Sequence, residues 1–364
     1  MRSPLTTCTL ALGYATWEQG VLSDARKVHK RRPKMPVFGY YGWYGCCSPY
    51  NNEWFAEYNS SASSALWLRD DAGRVVLTGT APVYDFCSRD MLSFYKTTIL
   101  KTFMASADLH GSFFDECDSF VEGGGSNHPW ESGVQPAGTP PYRFSAARKA
   151  SVTQCFQDAM VEIVAFMTAG GKFPIPSTNA YQKQYPAFYK TQKDALVKYG
   201  GFKFVESFCS SCSAAGGCNT TAGSGGGWVC PQHPTAAGCC LDQLLSIKEH
   251  ASLGVPLMVH IELGSDGDAD AFQLGCFLIA AQRWSYVGAG SGWSGPSSFP
   301  LVKAYTRKLG APKADAVVVD AALGVFTRSF DSLDLRVNVS ASSALFSWKS
   351  DDRSMMAPER ARGA

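Results

Sequence analysis

The amino-acid sequence predicts an α/β protein, a TIM-type (β/α)8 barrel followed by a small C-terminal antiparallel β segment. Three observations carry that expectation. Short β-branched and aromatic runs alternate with helical patterns from residue 37 to residue 288, as parallel βα units do. After residue 311 the rhythm changes to runs that alternate in polarity, as antiparallel strands do. At 364 residues and 39.3 kDa the chain exceeds the roughly 250 residues of a barrel and leaves room for insertions.

Residues 14–30 read as a helix, stopped by Pro33 and Pro36. Val37-Phe-Gly-Tyr-Tyr-Gly-Trp follows as a buried strand. Val75-Val-Leu is a short strand or hairpin arm, and Pro82-Val-Tyr-Asp-Phe a further strand ahead of a helical pattern over 89–107. Gly111-Ser-Phe-Phe-Asp-Glu is a strand whose polar end opens a Gly/Pro-rich loop over 122–142. A helix over 144–169 sets Val152, Phe156, Met160, Ile163, Val164 and Met167 at helical spacing. Strands begin again at Phe173, Phe202, Pro256 and Trp284, and helices over 182–199, 241–252 and 269–282 precede the last three. That makes seven barrel-type strands from residue 37, so the first of eight is missing or irregular. Residues 316–320, 324–330, 333–339 and 344–348 then alternate as β strands. The expected division is a barrel domain over 1–310 with a Cys-rich insertion at 207–240, a β segment over 311–349 and a disordered tail over 350–364.

Composition narrows the function classes. A formal charge of +2 gives no electrostatic basis for a nucleic-acid partner, and the basic run from Lys27 to Lys34 reads as a solvated helix end. No apolar run approaches the ~18 residues of a membrane span. Of thirteen cysteines, Cys209, Cys212, Cys218, Cys230, Cys239 and Cys240 crowd into one Gly/Ser-rich stretch. Asn59, Asn219 and Asn338 head glycosylation sequons. Together these predict a disulfide-bonded glycoprotein, secreted or extracytoplasmic. The odd cysteine count leaves at least one thiol unpaired or pairing between chains. The first twelve residues make a poor signal peptide, which predicts a true start further upstream.

Catalytic groups of such barrels stand at the C-terminal ends of strands. Those ends carry Asp85, Asp115 with Glu116, Asn179, Glu206, and Glu262 with His260. Two carboxylates facing one cleft are what glycosidic cleavage requires: one protonates the leaving oxygen, the other attacks the anomeric carbon or activates water. Asp115 and Glu206 are the expected catalytic pair. The competing reading of Asp115 is a loop or helix cap, and that of Glu206 an acid paired with a nearby cation. Asp85, Glu116, Asn179 and Glu262 are expected to contact substrate, whereas His260 alone reads as a satisfied core histidine. Trp43 and Trp293 are candidates for stacking on sugar rings, with Tyr41 beside them. Core packing is the default for Tyr41, Tyr44, Trp284 and Tyr286. The six histidines are scattered and no His-Glu-x-x-His occurs, so neither a metal nor a cofactor is expected. Cys209-x-x-Cys212 reads as disulfide-forming before metal-binding or redox-active. Gly290-Ser-Gly-Trp-Ser-Gly is a loop after the last barrel strand, since Pro296 follows it.

Pro82-Val-Tyr-Asp-Phe, Gly111-Ser-Phe-Phe-Asp-Glu, Asn179 and Phe204-Val-Glu206 together resemble the glycosyl-hydrolase-like (β/α)8 barrels, near the branch of the endo-α-1,4-polygalactosaminidases. The closing residues 324–338 look like the terminal β segment of such proteins. The resemblance implies a glycosidase acting on a carbohydrate substrate. It implies Asp115 as nucleophile or base and Glu206 as proton donor, with Asp85 and Asn179 lining the site. The chain departs from the family pattern at Ser112 and in its cysteine-rich insertion. A non-catalytic carbohydrate-binding protein on the same scaffold is the alternative.

Overall fold

The structure, a computed structural model, describes residues 17–42, 65–78, 81–115, 117, 140–177, 186–205, 208–209, 235–263, 269–290, 303 and 307–349. The chain divides into two compact units. The first comprises residues 1–206, 250–258 and 293–295, the second 207–249, 259–292 and 296–364.

In the first unit, helix α1 (Trp17–Arg31) leads to strand β1 (Phe38–Gly42). The exposed Lys30, Arg31, Arg32 and Lys34 form the solvated helix end expected of the basic run. A short hairpin, β2 (Leu77–Thr78) and β3 (Ala81–Pro82), precedes α2 (Arg89–Phe94), which passes through a π turn (Tyr95–Ile99) into α3 (Lys101–Ala105). Strand β4 (Gly111–Asp115), α4 (Ala146–Ala169), β5 (Phe173–Pro176), α5 (Pro186–Tyr199) and β6 (Lys203–Val205) follow. β1 pairs in parallel with β4 and β4 with β5, and Ser177 just beyond β5 bridges in parallel to Phe204 of β6. The crossover helices make this direction possible, because parallel neighbours need a connection of a dozen residues or more.

Helix α4 shows how the sequence builds this unit. Ser145 caps it by accepting the Arg148 amide at 3.2 Å, which satisfies one of the amides a helix start leaves unpaired. All six apolar residues expected to form its inner face are buried. They join Met91, Tyr95, Phe103 and Phe114 in one core cluster. The Cys87–Cys155 disulfide ties the start of α2 to the same helix.

Two expectations change here. Residues 82–86 do not form a parallel barrel strand. β3 pairs antiparallel with β2, Tyr84 bridges antiparallel to Trp67, and the Val83 and Asp85 amides donate to Val76 and Leu66. The reason is connection length: the few residues between Leu77 and Pro82 permit a hairpin but no crossover. The expected closed barrel is not seen: among the described residues the α/β core consists of two three-stranded sheets, β1-β4-β5 and β6-β7-β8, and no closed sheet.

Helix α6 (Ala236–Ser252) and strand β7 (Leu257–Glu262) begin in one unit and end in the other, and α7 (Ala271–Ala280) and β8 (Ser285–Gly290) belong to the second. There the chain closes as expected in an antiparallel sheet of order β12-β11-β10-β9. Its strands are β9 (Val317–Asp320), β10 (Val325–Ser329), β11 (Leu333–Asn338) and β12 (Ser343–Trp348). The nearly all-apolar α7 lies against this sheet so closely that a side chain at Gly275 would collide with Ala344 and crowd Val337. Arg328 of β10, only 3% exposed, donates from Nη1 to the carbonyls of Leu278, Ile279 and Ala281 at the end of α7. Asn338, the one described sequon asparagine, accepts the Ala341 amide in the β11–β12 turn; Asn59 and Asn219 lie outside the described residues. No helix among the described residues is long and apolar enough to cross a membrane.

Candidate active site

Successive residues of a strand face opposite sides, and in the first unit this sorts the aromatics. On one side stand Phe38, Tyr40, Phe113, Phe202 and Phe204. Tyr40 stacks on Phe113 at 5.7 Å, Phe113 meets Phe204 edge-on at 4.8 Å, and Phe38 meets Phe202 at 5.9 Å. On the other side Tyr41 packs on Phe103 at 4.7 Å and Phe114 on Tyr95 at 6.4 Å. Gly39 has no room for a side chain beneath the Phe103 ring. One face of the sheet is therefore covered by helices, and the other is an aromatic floor.

Asp115 is the last residue of β4 and shares the side of Phe113. Its Oδ2 accepts the Tyr40 hydroxyl at 2.8 Å. Gly42, its register partner on β1, adds no side chain there. The carboxylate thus stands half-buried at the C-terminal rim of the aromatic face, held by a neutral donor. Beyond it the Cys117 amide donates to Ser177 and the Ser177 amide to Phe114, which fixes the strand ends of β4 and β5 beside it.

Tyr40 is the residue that sequence reasoning missed, because it chose the neighbouring tyrosine. Tyr41 is 6% exposed, and its hydroxyl donates to the Ile99 carbonyl at 2.9 Å and reaches Glu18 at 3.2 Å. It is a core residue packed on Phe103, the default reading for this tyrosine. The available signal was parity: Tyr40 aligns with Phe113, two residues before Asp115.

Asp85 is half-buried and accepts the Cys87 amide at 3.1 Å, forming the turn into α2. Burial pushes its carboxyl above the ordinary range, opposed by the Cys87 amide and the charge of Arg148. Folding therefore favours the protonated form. The ionised form costs stability above the carboxylate range, and that cost vanishes as pH falls through it. Asp85→Asn keeps an acceptor for Cys87 and removes the charge. It is expected to raise the melting temperature at about pH 7 and leave it unchanged near pH 3; a lower melting temperature at neutral pH would contradict this.

In the second unit, Glu262 ends β7 with an exposed side chain, while its amide donates to Gln273 Oε1 at 2.6 Å. His260, two residues earlier, is buried in the core, and burial pushes its imidazole below the ordinary range. Trp284 and Tyr286 are not buried. They are 53% and 49% exposed, Trp284 just before β8 and Tyr286 within it, and the Arg283 guanidinium covers the Trp284 ring at 4.9 Å. Glu116, Asn179, Glu206, Trp43, Tyr44 and Trp293 lie outside the described residues, as does Cys212. Its neighbour Cys209 is disulfide-bonded to Cys240.

A model of the hypothetical glycosyl hydrolase family 15 matches residues 29–334, from the end of α1 into β11. The chain belongs to hypothetical glycosyl hydrolase family 15. The match takes in all six strands of the two three-stranded sheets, Asp115 and Tyr40. Membership bears out, at the level of family, the resemblance carried by residues 82–86, 111–116, 179 and 204–206. No curated protein matches the chain. Among solved structures, the noncanonic maltogenic α-amylase AmyB from Thermotoga neapolitana is similar at 9% identity and a TM-score of 0.42, over 87% of this chain and 68% of that one. A score that low carries no argument about fold or activity, so the assignment to hypothetical glycosyl hydrolase family 15 rests on the family match.

Proposed function

We propose that this member of the family is a secreted glycoside hydrolase. It would cleave O-glycosidic bonds of a poly- or oligosaccharide by a two-carboxylate mechanism, with residues 1–310 completing a (β/α)8 barrel. Asp115 is the nucleophile or base and Glu206 the proton donor. The observation that carries this reading is Asp115 at the end of a parallel strand, on the aromatic face and hydrogen-bonded to Tyr40. In a barrel such rings fill the interior, and a carboxylate at their C-terminal rim stands where catalytic groups of such barrels stand. Phe202 and Phe204 meet Phe38 and Phe113, and in the sequence Glu206 follows them at the same two-residue spacing. Asp85, Glu116, Asn179 and Glu262 are proposed substrate contacts, with Trp43 and Trp293 stacking on sugar rings. The disulfides support export and an oxidising setting.

Glu206→Gln tests the proton-donor role. Loss of a general acid is expected to lower turnover of a natural polysaccharide by about 10³-fold. An aryl glycoside whose leaving group needs no proton should keep most of its rate. Equal losses on both substrates would contradict that role, and unchanged activity on both would remove Glu206 from the mechanism. Tyr40→Phe removes the donor to Asp115. It is expected to lower kcat/KM about ten- to a hundred-fold, the worth of a hydrogen bond to a charged group, with the melting temperature unchanged. Full activity in this variant would show that the contact plays no part.

A further inference from the structure

Three sulfurs converge in the second unit. Cys209 and Cys240 form a disulfide, Cys276 carries a thiol, and the three Sγ atoms lie within 4.8 Å of one another. All are buried, at 1%, 0% and 0% exposure. They come from three separate segments: Cys209 from the chain just past β6, Cys240 from the first turns of α6, and Cys276 from the middle of α7. Cys209 adopts a positive φ of 55°, uncommon for a side-chain-bearing residue. Its amide donates to Gln243 Oε1 at 2.7 Å. Gln243, one turn beyond Cys239 on α6, also reaches Cys239 Sγ at 3.6 Å.

A thiolate exchanges with a disulfide by attacking one of its sulfurs. Here the attacking atom needs to close from at most 4.8 Å to a near-attack distance of about 3.5 Å. We propose that Cys209, Cys240 and Cys276 form an intramolecular thiol–disulfide exchange site, which moves a crosslink between α6 and α7. Cys276 gives up its proton and its Sγ attacks Cys209 Sγ. The Cys209–Cys276 bond forms as Cys209–Cys240 breaks, and Cys240 leaves as a thiolate that takes up the proton. Attack on Cys240 gives the Cys240–Cys276 bond and releases Cys209. One disulfide is lost and one gained, so no oxidant or reductant is consumed. The outcome bears on the cysteine-rich insertion that Cys209 heads: attack on Cys209 moves its crosslink from α6 to α7, and attack on Cys240 releases it. The site is independent of the hydrolase reading.

The test uses the full-length oxidised protein, incubated with a catalytic amount of a small thiol, denatured into an alkylating agent and mapped by peptide mass spectrometry. The thiol label should be distributed over Cys276, Cys240 and Cys209, while Cys87 and Cys155 stay crosslinked. Among Cys209, Cys240 and Cys276, label confined to Cys276 would overturn the proposal, as would label spread equally to Cys87 and Cys155; Cys117, a second thiol, is labelled in every case. Two variants provide the second reading. Cys240→Ser should yield a Cys209–Cys276 crosslink and Cys209→Ser a Cys240–Cys276 crosslink. Recovery of both remaining cysteines as thiols in each variant would equally overturn it.

Discussion

Asp115→Asn is expected to lower kcat/KM by at least about 10³-fold on any polysaccharide the wild type cleaves, without loss of melting temperature. The size follows from the role, since neither nucleophilic attack nor water activation survives replacement of the carboxylate by an amide. The intact fold follows from the site. Asn retains an oxygen to accept the Tyr40 hydroxyl, and the side chain stands at the strand end rather than within the core cluster. Initial rates and thermal unfolding on the same preparation check both parts. An active Asp115→Asn protein would refute the assignment, and an inactive but unfolded one would make Asp115 a structural residue.

The second large effect falls on stability. Arg328→Met is expected to destabilise the second unit by about 3 kcal/mol, since it strips the buried donor from three helix-end carbonyls. That corresponds to a fall of roughly 5–10 °C in melting temperature. The guanidinium satisfies Leu278, Ile279 and Ala281 from a single side chain and lies 5.2 Å over the Phe330 ring. Met preserves much of the volume and none of the donors. Burial already pushes Arg328 below its usual value, against the pull of Asp315, so the site bears a desolvation cost that those bonds help to offset. A drop of under about 1 kcal/mol in denaturant unfolding would show that water replaces the lost donors.

What could be read from the sequence was whatever is encoded locally. The inner face of α4 repeats at helical spacing within one segment, and all six of its residues are buried. The four C-terminal strands alternate in polarity and pair as antiparallel neighbours. Asp115 was legible because a charge at the end of Phe113-Phe114 has only one place to emerge. Pairing was not. Residues 82–86 have the composition of a barrel strand, but direction depends on the partner. Tyr40 and Tyr41 are chemically alike and adjacent, so which one faces the aromatic floor depends on Phe103 and Phe113, remote in sequence. The exposure of Trp284 and Tyr286 likewise could not be read from their hydrophobicity. The cysteine pairs lie 68 and 31 residues apart, and spacing alone does not select among thirteen candidates.

Release of reducing ends, measured beside glycan binding across acidic, amino-sugar and neutral polysaccharides, tests the whole reading most directly. The wild-type chain should cleave at least one glycan that it binds, and Asp115→Asn should bind that glycan without cleaving it. Tight binding by both proteins with turnover by neither would leave a carbohydrate-binding barrel in which Asp115 only orders the strand end, contrary to the account.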